Sequence, residues 1–204
     1  MKLKKLLPEL VQGITELGYD KESREIQTLA IPKIKSGADL FVISKPESGK
    51  STAICIGLIQ QLKKEEGKVP RAIVIVKNKE KAFALDEQFE KLAEHTSLRS
   101  LIVYDEGNLK YQKDMIYEGI DVLFTTPKRL IELLNNSGVN MSNLKILVVD
   151  DAETILLQQN HTIIHRITDS IDKLQILIFA NAWSPKFNDL SDRVMKNPQL
   201  IKVD

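Results

Sequence analysis

Seven short apolar runs alternating with longer charged segments leave this chain few folds to choose from. The runs are DLFVIS (39–44), RAIVIV (71–76), LRSLIVY (98–104), IDVLFTT (120–126), LKILVVD (144–150), LQILIFA (174–180) and QLIKV (199–203). Each is apolar throughout rather than at every second residue, so a strand built from it needs cover on both faces. Segments with helical spacing lie between them: STAICIGLIQQLKKEE (51–66), with Ile54, Leu58 and Leu62 on one face, KEKAFALDEQFEKLAEH (79–95), PKRLIELLNN (127–136) and the region after Glu153. The alternation predicts an α/β fold: one mostly parallel sheet of about seven strands with helices on both faces. Two more helical stretches, LKKLLPELVQGITELG and REIQTLAIPKIKSG, each end near a glycine and make residues 1–37 an N-terminal helical extension to a core over 38–204.

A chain of 204 residues can bury a single core without disulfides or structural metal. Cys55 is the one cysteine, so no internal disulfide forms and a reducing compartment is expected. The apolar runs are too short to span a bilayer, and MKLKKLLPEL lacks the apolar stretch and cleavage site of a secretory signal. The expectation is a cytoplasmic protein without membrane contact. With 29 basic and 28 acidic residues the overall charge points to no partner, so an anionic ligand has to be met by a local patch.

Chemistry concentrates after the first run, in ISKPESGKST (43–52). A strand, a short loop and Gly49-Lys50-Ser51 opening a helix form the setting in which amides of residues 48–52 cradle phosphate, with Lys50 on the anion and the Ser51 hydroxyl on Mg²⁺. The general pattern asks for glycine at 44, where this chain has Ser44, and Glu47 sits where close backbone approach is wanted. A carboxylate about 4 Å from a phosphate oxygen costs on the order of 4 kcal/mol at an effective dielectric of 20. The plain alternative is a strand-to-helix turn that carries a lysine by chance.

The surroundings of the loop name a family. Gln27, Ala30, Ile31, Pro32, Gly37, Asp39, Gly49 and Lys50 spell IQxxAIPxxxxGxD...GK, with Gln27 and Lys50 23 residues apart, and this resembles the N-terminal RecA-like domain of DEAD-box RNA helicases. The resemblance runs on in order. VKNKEKA (76–82) corresponds to the RNA-contacting PTRELA-like segment, keeping Glu80 and Ala82 with Lys79 for arginine. Thr126, Pro127, Lys128 and Arg129 match TPGR except for Lys128, VVDDAE (148–153) stands in the place of the DEAD signature, and NAW (181–183) in that of SAT.

The resemblance implies ATP and Mg²⁺ as cofactors and single-stranded or duplex RNA, read without regard to sequence, as partner. It implies ATP contacts from Tyr19 and Gln27 on the base and from Ser48, Gly49, Lys50, Ser51 and Thr52 on the phosphates. It implies Mg²⁺ held by Ser51 and, through water, Asp150, with Asp151 in the place of the glutamate that orients the attacking water. RNA phosphates would be met by Lys77, Lys79, Thr126, Pro127, Lys128 and Arg129, with Thr126 also able to cap the helix it opens. Asp151 is one methylene shorter than glutamate, and Trp183 with the loss of both hydroxyls of SAT removes the element that would couple nucleotide to RNA. Glu47 and Asp151 both work against the ATP cycle, so very low turnover is expected, with a second RecA-like domain in cis or trans as a needed partner. A helicase-like scaffold that binds RNA or protein without ATP is the other reading. His161 and His165, spaced i, i+4, lack a third metal ligand nearby and read as ordinary helix residues, and Cys55 reads as a small core residue.

Overall fold

The computed structural model describes residues 3–157 and 161–203. Every apolar run has become a strand, trimmed by at most two residues at either end: β1 (Leu40–Ser44), β2 (Ala72–Ile75), β3 (Ser100–Val103), β4 (Val122–Thr125), β5 (Ile146–Val149), β6 (Gln175–Ala180) and β7 (Gln199–Val203). All described pairings are parallel, in the order β3-β4-β2-β5-β6-β1-β7. Successive strand residues point to opposite faces, and both faces are covered. Val42, Val74, Phe124, Val148 and Phe179 enter one core with α1 (Pro8–Glu16), α2 (Glu25–Lys35), α3 (Lys50–Leu62) and α4 (Lys79–Ala93). Phe41, Ile73, Ile75, Leu123 and Val149 enter the other with α5 (Leu109–Glu118), α6 (Pro127–Asn135), α7 (Ala152–Leu157), α8 (His161–Thr168) and α9 (Lys186–Val194). Among the described residues no helix is long and apolar enough to cross a membrane.

The N-terminal helices are part of the first core: Leu10, Ile14, Ile26 and Ile34 are fully buried in it. α1 presses on α4 so closely that a Cβ at Gly13 would meet the Leu92 carbonyl oxygen at 2.7 Å. Pro8 opens α1 rather than lying inside it, because a proline at the first helical position loses no hydrogen bond. α3 is buried nearly all round, where spacing had indicated one apolar face, because α2 and α4 flank it. It stops at Leu62, and KKEE (63–66) turns into solvent.

Spacing did not single out α5 and α9. Asn108 caps α5, its side chain accepting from the Tyr111 amide at 3.0 Å, and Gly119 ends it; Phe187, Leu190 and Val194 form the buried stripe of α9. Those caps and stripes were present in the sequence but short. At the amino ends of the strands, fully buried Asp121 accepts from Arg71 Nη2 at 2.6 Å and Arg99 Nε at 3.0 Å, pinning the entries to β2 and β4. A cleft of about 540 Å³ opens on that same edge beside Asp39 and Gln175. The opposite, carboxyl edge carries the loops after β1, β2, β4, β5 and β6, where an open α/β sheet places its ligands.

Candidate functional site

The loop after β1 folds back on itself. Gly49 at φ 100° caps α3 in a left-handed conformation that glycine adopts freely, and the first amides of the helix point into the cleft above it. Ser44 and Ser48 close the loop through their hydroxyls at 2.7 Å. Lys50 is buried, and its ammonium donates to the carbonyls of Ser44 at 2.6 Å and Lys45 at 2.7 Å. Burial pushes the Lys50 ammonium below its usual range, against the pull of Asp150, Asp151 and Glu153. Glu47 is exposed at the rim with φ 61°. Its carboxylate therefore stands in the screened regime, worth about 1 kcal/mol at 4 Å in water, and its backbone adds the ~1–2 kcal/mol of a non-glycine residue in the left-handed region.

A side chain from outside the loop seals its back. Gln27, 5% exposed, accepts from the Arg24 amide at 3.1 Å through Oε1, which holds its Nε2 over Gly49. A Cβ at Gly49 would lie 2.8 Å from that nitrogen. Half-buried Tyr19 packs on the first core at the edge of the same cleft. The cleft has a volume of about 880 Å³ and brings Tyr19, Gln27, Gly49, Lys50, Ser51 and Thr52 together with Asp151 from across the sheet. That is room for a nucleotide-sized ligand.

The turn after β5 faces this loop. Asp150 is completely buried and accepts the Asp151 amide through Oδ1 at 3.0 Å. Its other oxygen, Oδ2, lies 3.2 Å from Lys81 Nζ, an ion pair whose angles fall short of a hydrogen bond. The same ammonium donates to Ser51 Oγ at 3.2 Å. Burial raises the Asp150 carboxyl above its usual range, and Lys81 opposes that. The two oxygens named as Mg²⁺ ligands do converge, but on an ammonium group. The donor set as it stands does not fit a divalent cation, which requires a shell of oxygens at 2.0–2.1 Å for Mg²⁺. Asp151, at φ 51°, is 5% exposed; its Oδ2 pairs with Lys77 Nζ at 3.2 Å and its Oδ1 accepts from Asn181 Nδ2 at 3.1 Å.

Asn181 is the first residue of the turn after β6. Its Nδ2 also donates to Glu153 Oε1 at 2.6 Å and its backbone amide to Glu153 Oε2 at 3.2 Å. Asn181 thus ties the turn after β6 to Glu153 at the start of α7. Trp183 packs edge-on against Phe41 and Phe187, with Lys202 Nζ 5.1 Å from its ring.

The expected nucleic-acid residues lie along a shallow depression of about 170 Å³ lined by Lys77, Lys79, Thr126, Pro127 and Lys128. Lys128 is exposed, while Lys79 pairs with Glu106 at 2.6 Å. Thr126 occupies the N-cap position of α6, yet its hydroxyl donates to Asp105 rather than capping the helix. Arg129 is 3% exposed, and its guanidinium donates to the carbonyls of Asp105 and of Gly107, the latter at 2.8 Å. Its fork faces inward and holds the 105–107 turn. Cys55 is fully buried with its thiol pushed well up by burial. The side chain of His161 lies outside the described residues, so its spacing with His165 has no structural counterpart here.

Lys81, Asn181 and Gln88, whose Nε2 donates to Thr52 Oγ1 at 2.7 Å, were not singled out from sequence. A signal existed for the first: in the alignment of VKNKEKA with PTRELA, Lys81 takes the place of leucine.

Comparison with known proteins covers almost the whole chain. The family model for DEAD/DEAH box helicases matches residues 24–190. The chain is 27% identical over 196 residues to DEAD-box ATP-dependent RNA helicase 8 of Arabidopsis thaliana, which covers 96% of this chain and 38% of that protein. It is 28% identical over 196 residues to ATP-dependent RNA helicase me31b of Drosophila melanogaster, covering 96% of this chain and 42% of that protein. A DEAD box protein from the hyperthermophile Methanococcus jannaschii superposes with a TM-score of 0.90 at 21% identity, over 98% of this chain and 55% of the other. The chain thus spans well under half the length of these two sequence relatives.

Proposed function

The chain belongs to the DEAD/DEAH box helicase family, and from that premise we propose that it is a nucleotide- and RNA-binding RecA-like domain with very low ATP turnover of its own. One observation carries the reading: Gln27 is locked over Gly49 at the back of a cleft that also holds Lys50, Ser51 and, from the facing turn, Asp151. When bound, ATP supplies the phosphoanhydride that is cleaved. The residues of this chain do the holding. Amides at the start of α3 and its helix dipole receive phosphate oxygens. Lys50 leaves the carbonyls of Ser44 and Lys45 to neutralise them. Gln27 and Tyr19 bound the base.

Turnover is slow because Asp151 is held twice, by Lys77 and Asn181, and is one methylene short of the water it would orient. A misplacement of about 1 Å costs on the order of a hundredfold in rate. RNA is met along the depression between α4 and α6, by Lys79, Lys128 and the Thr126–Pro127 helix start, through phosphates and without base reading. Arg129 serves that surface indirectly, by shaping the turn beneath it. A second RecA-like domain, in cis or trans, closes the cleft, and a reducing cytoplasmic setting fits the buried thiol of Cys55.

Titration with a fluorescent ATP analogue tests the proposal. Low-micromolar binding abolished by Lys50→Ala is expected. No binding at millimolar nucleotide would favour the second reading, a scaffold that engages RNA or a protein partner without ATP, which Glu47 at the rim supports.

A further inference from the structure

Lys81 stands in the first turn of α4, whose start is fixed by Asn78, the side chain accepting from the Lys81 amide at 3.0 Å. From there its ammonium reaches across the carboxyl edge to within 3.2 Å of both Ser51 Oγ and Asp150 Oδ2. Asp150 is wholly buried, and a buried carboxylate without a cation is strongly unfavourable. Lys50 does not meet this need at contact distance, since its ammonium is turned onto the carbonyls of Ser44 and Lys45. Lys77, the other nearby cation, is engaged by Asp151. The charge of Asp150 is thus answered by Lys81, at the point where the loop after β1 and the turn after β5 would otherwise share a divalent ion.

We propose that Lys81 is the resident cation of this site: a tethered ammonium that replaces Mg²⁺ between Ser51 and Asp150, so that the cleft takes a nucleoside polyphosphate in its metal-free form. The second half rests on the nucleotide reading above; the first does not. An ammonium brings one positive charge where Mg²⁺ brings two, and it donates hydrogen bonds instead of accepting lone pairs. Mg²⁺ in solution then only withdraws nucleotide into a complex the site does not select.

Two measurements on the whole chain decide it. The first uses metal alone: Mn²⁺ binding followed by electron paramagnetic resonance, with thermal unfolding in MgCl₂ against a salt of equal ionic strength. Wild type is expected to bind no Mn²⁺ at millimolar concentration and to melt at the same temperature with or without Mg²⁺. Lys81→Leu should melt lower by on the order of 10 °C, the effect of an unpaired buried charge, and regain part of the loss with Mg²⁺. A wild-type Mn²⁺ signal that disappears in Asp150→Asn would overturn the proposal even if Lys81→Leu fails to fold. So would a Lys81→Leu protein that melts like wild type and ignores Mg²⁺.

The second measurement titrates the fluorescent ATP analogue into wild type in EDTA and in Mg²⁺. Equal or tighter binding in EDTA supports the metal-free mode, and a tightening of about tenfold or more by Mg²⁺ overturns it while leaving the nucleotide reading intact. No binding in either buffer overturns the nucleotide reading and the metal-free mode together, and the Mn²⁺ result then decides the role of Lys81 by itself.

Discussion

Asn181 and Glu153 are joined twice, side-chain amide to Oε1 at 2.6 Å and backbone amide to Oε2 at 3.2 Å, so the turn after β6 is latched to the first turn of α7. The same Asn181 nitrogen reaches Asp151 at 3.1 Å, which makes one neutral side chain the common donor to two carboxylates. Asn181→Ala removes both side-chain bonds. Urea unfolding should show a loss of about 1–3 kcal/mol, the worth of hydrogen bonds to charged acceptors. Asn181→Asp should lose more, because it sets a third carboxylate against the other two. Equal stability of wild type and Asn181→Ala would mean the latch contributes nothing.

Gly49→Ala would force a Cβ to within 2.8 Å of Gln27 Nε2 and 3.0 Å of Arg24 Cδ, at a φ of 100°. The expected cost is about 1–3 kcal/mol in chemical denaturation, from left-handed strain plus displacement of the Gln27 amide. Gln27→Ala combined with Gly49→Ala should recover the part due to contact and leave the part due to strain. Full additivity of the two substitutions would exclude the contact.

Glu47 holds a φ of 61° with its carboxylate exposed at the rim of the cleft. Glu47→Gly relieves the strain but frees the unfolded chain, so a net gain of only about 0.5 kcal/mol is expected. Affinity for the ATP analogue should rise about fivefold at low salt, less as salt screens the charge. An unchanged affinity at low salt would remove the electrostatic account of this residue.

Asp121 is buried against Arg71 and Arg99. Burial alone would raise its carboxyl, but the hydrogen bonds from Arg99 and Arg71 outweigh that and hold it below the usual range. A depressed folded pKa gives stability that is present above the unfolded value near 3.9 and lost as pH falls through the folded value. Asp121→Asn leaves buried Arg71 with only the exposed Glu66 carboxylate, 3.0 Å from its Nη1, as counter-charge, at a cost of about 3 kcal/mol near neutral pH, the low end for a broken buried pair. Part of the acid sensitivity below about pH 4 should vanish with it.

Asp86 behaves in the opposite sense. Burial on the inward face of α4, helped by the charge of Glu90 and opposed by a hydrogen bond from Ser100, pushes its carboxyl up to about 6. Between the unfolded value near 4 and about 6 the folded state holds more protons, so stability falls as pH rises through that window. Asp86→Asn should flatten the fall and add about 1–2 kcal/mol at pH 7.5. A mutant as pH-dependent as wild type between those values would show that Asp86 does not titrate there.

β1, β2, β4, β5 and β6 were legible because each is a continuous apolar run, a pattern set by two-sided burial and readable within a few residues, whereas the edge strands β3 and β7 are partly exposed and carry a weaker version of it. Helix ends were less so. Leu62 ends α3, before the 63–66 stretch that spacing would have included, because burial between α2 and α4 ends there. α5 and α9 carry stripes too short to stand out from charged surroundings. The loop residues Gly49, Lys50 and Ser51 and the distant Gln27 were found by spacing along the chain, and the cleft does bring them together.

Local order along the chain determined the parallel α/β architecture and the placement of a phosphate-type loop after β1, since both follow from short-range patterns of polarity and backbone freedom. The partners of each charge were decided in three dimensions. Whether Lys81 answers Asp150, whether Arg129 faces solvent or the 105–107 turn, and whether Asn181 reaches Glu153 depend on which strands lie beside one another. A polar contact is made across 69 or 28 residues of sequence as readily as across four, because its energy falls with distance in space and not with separation along the chain.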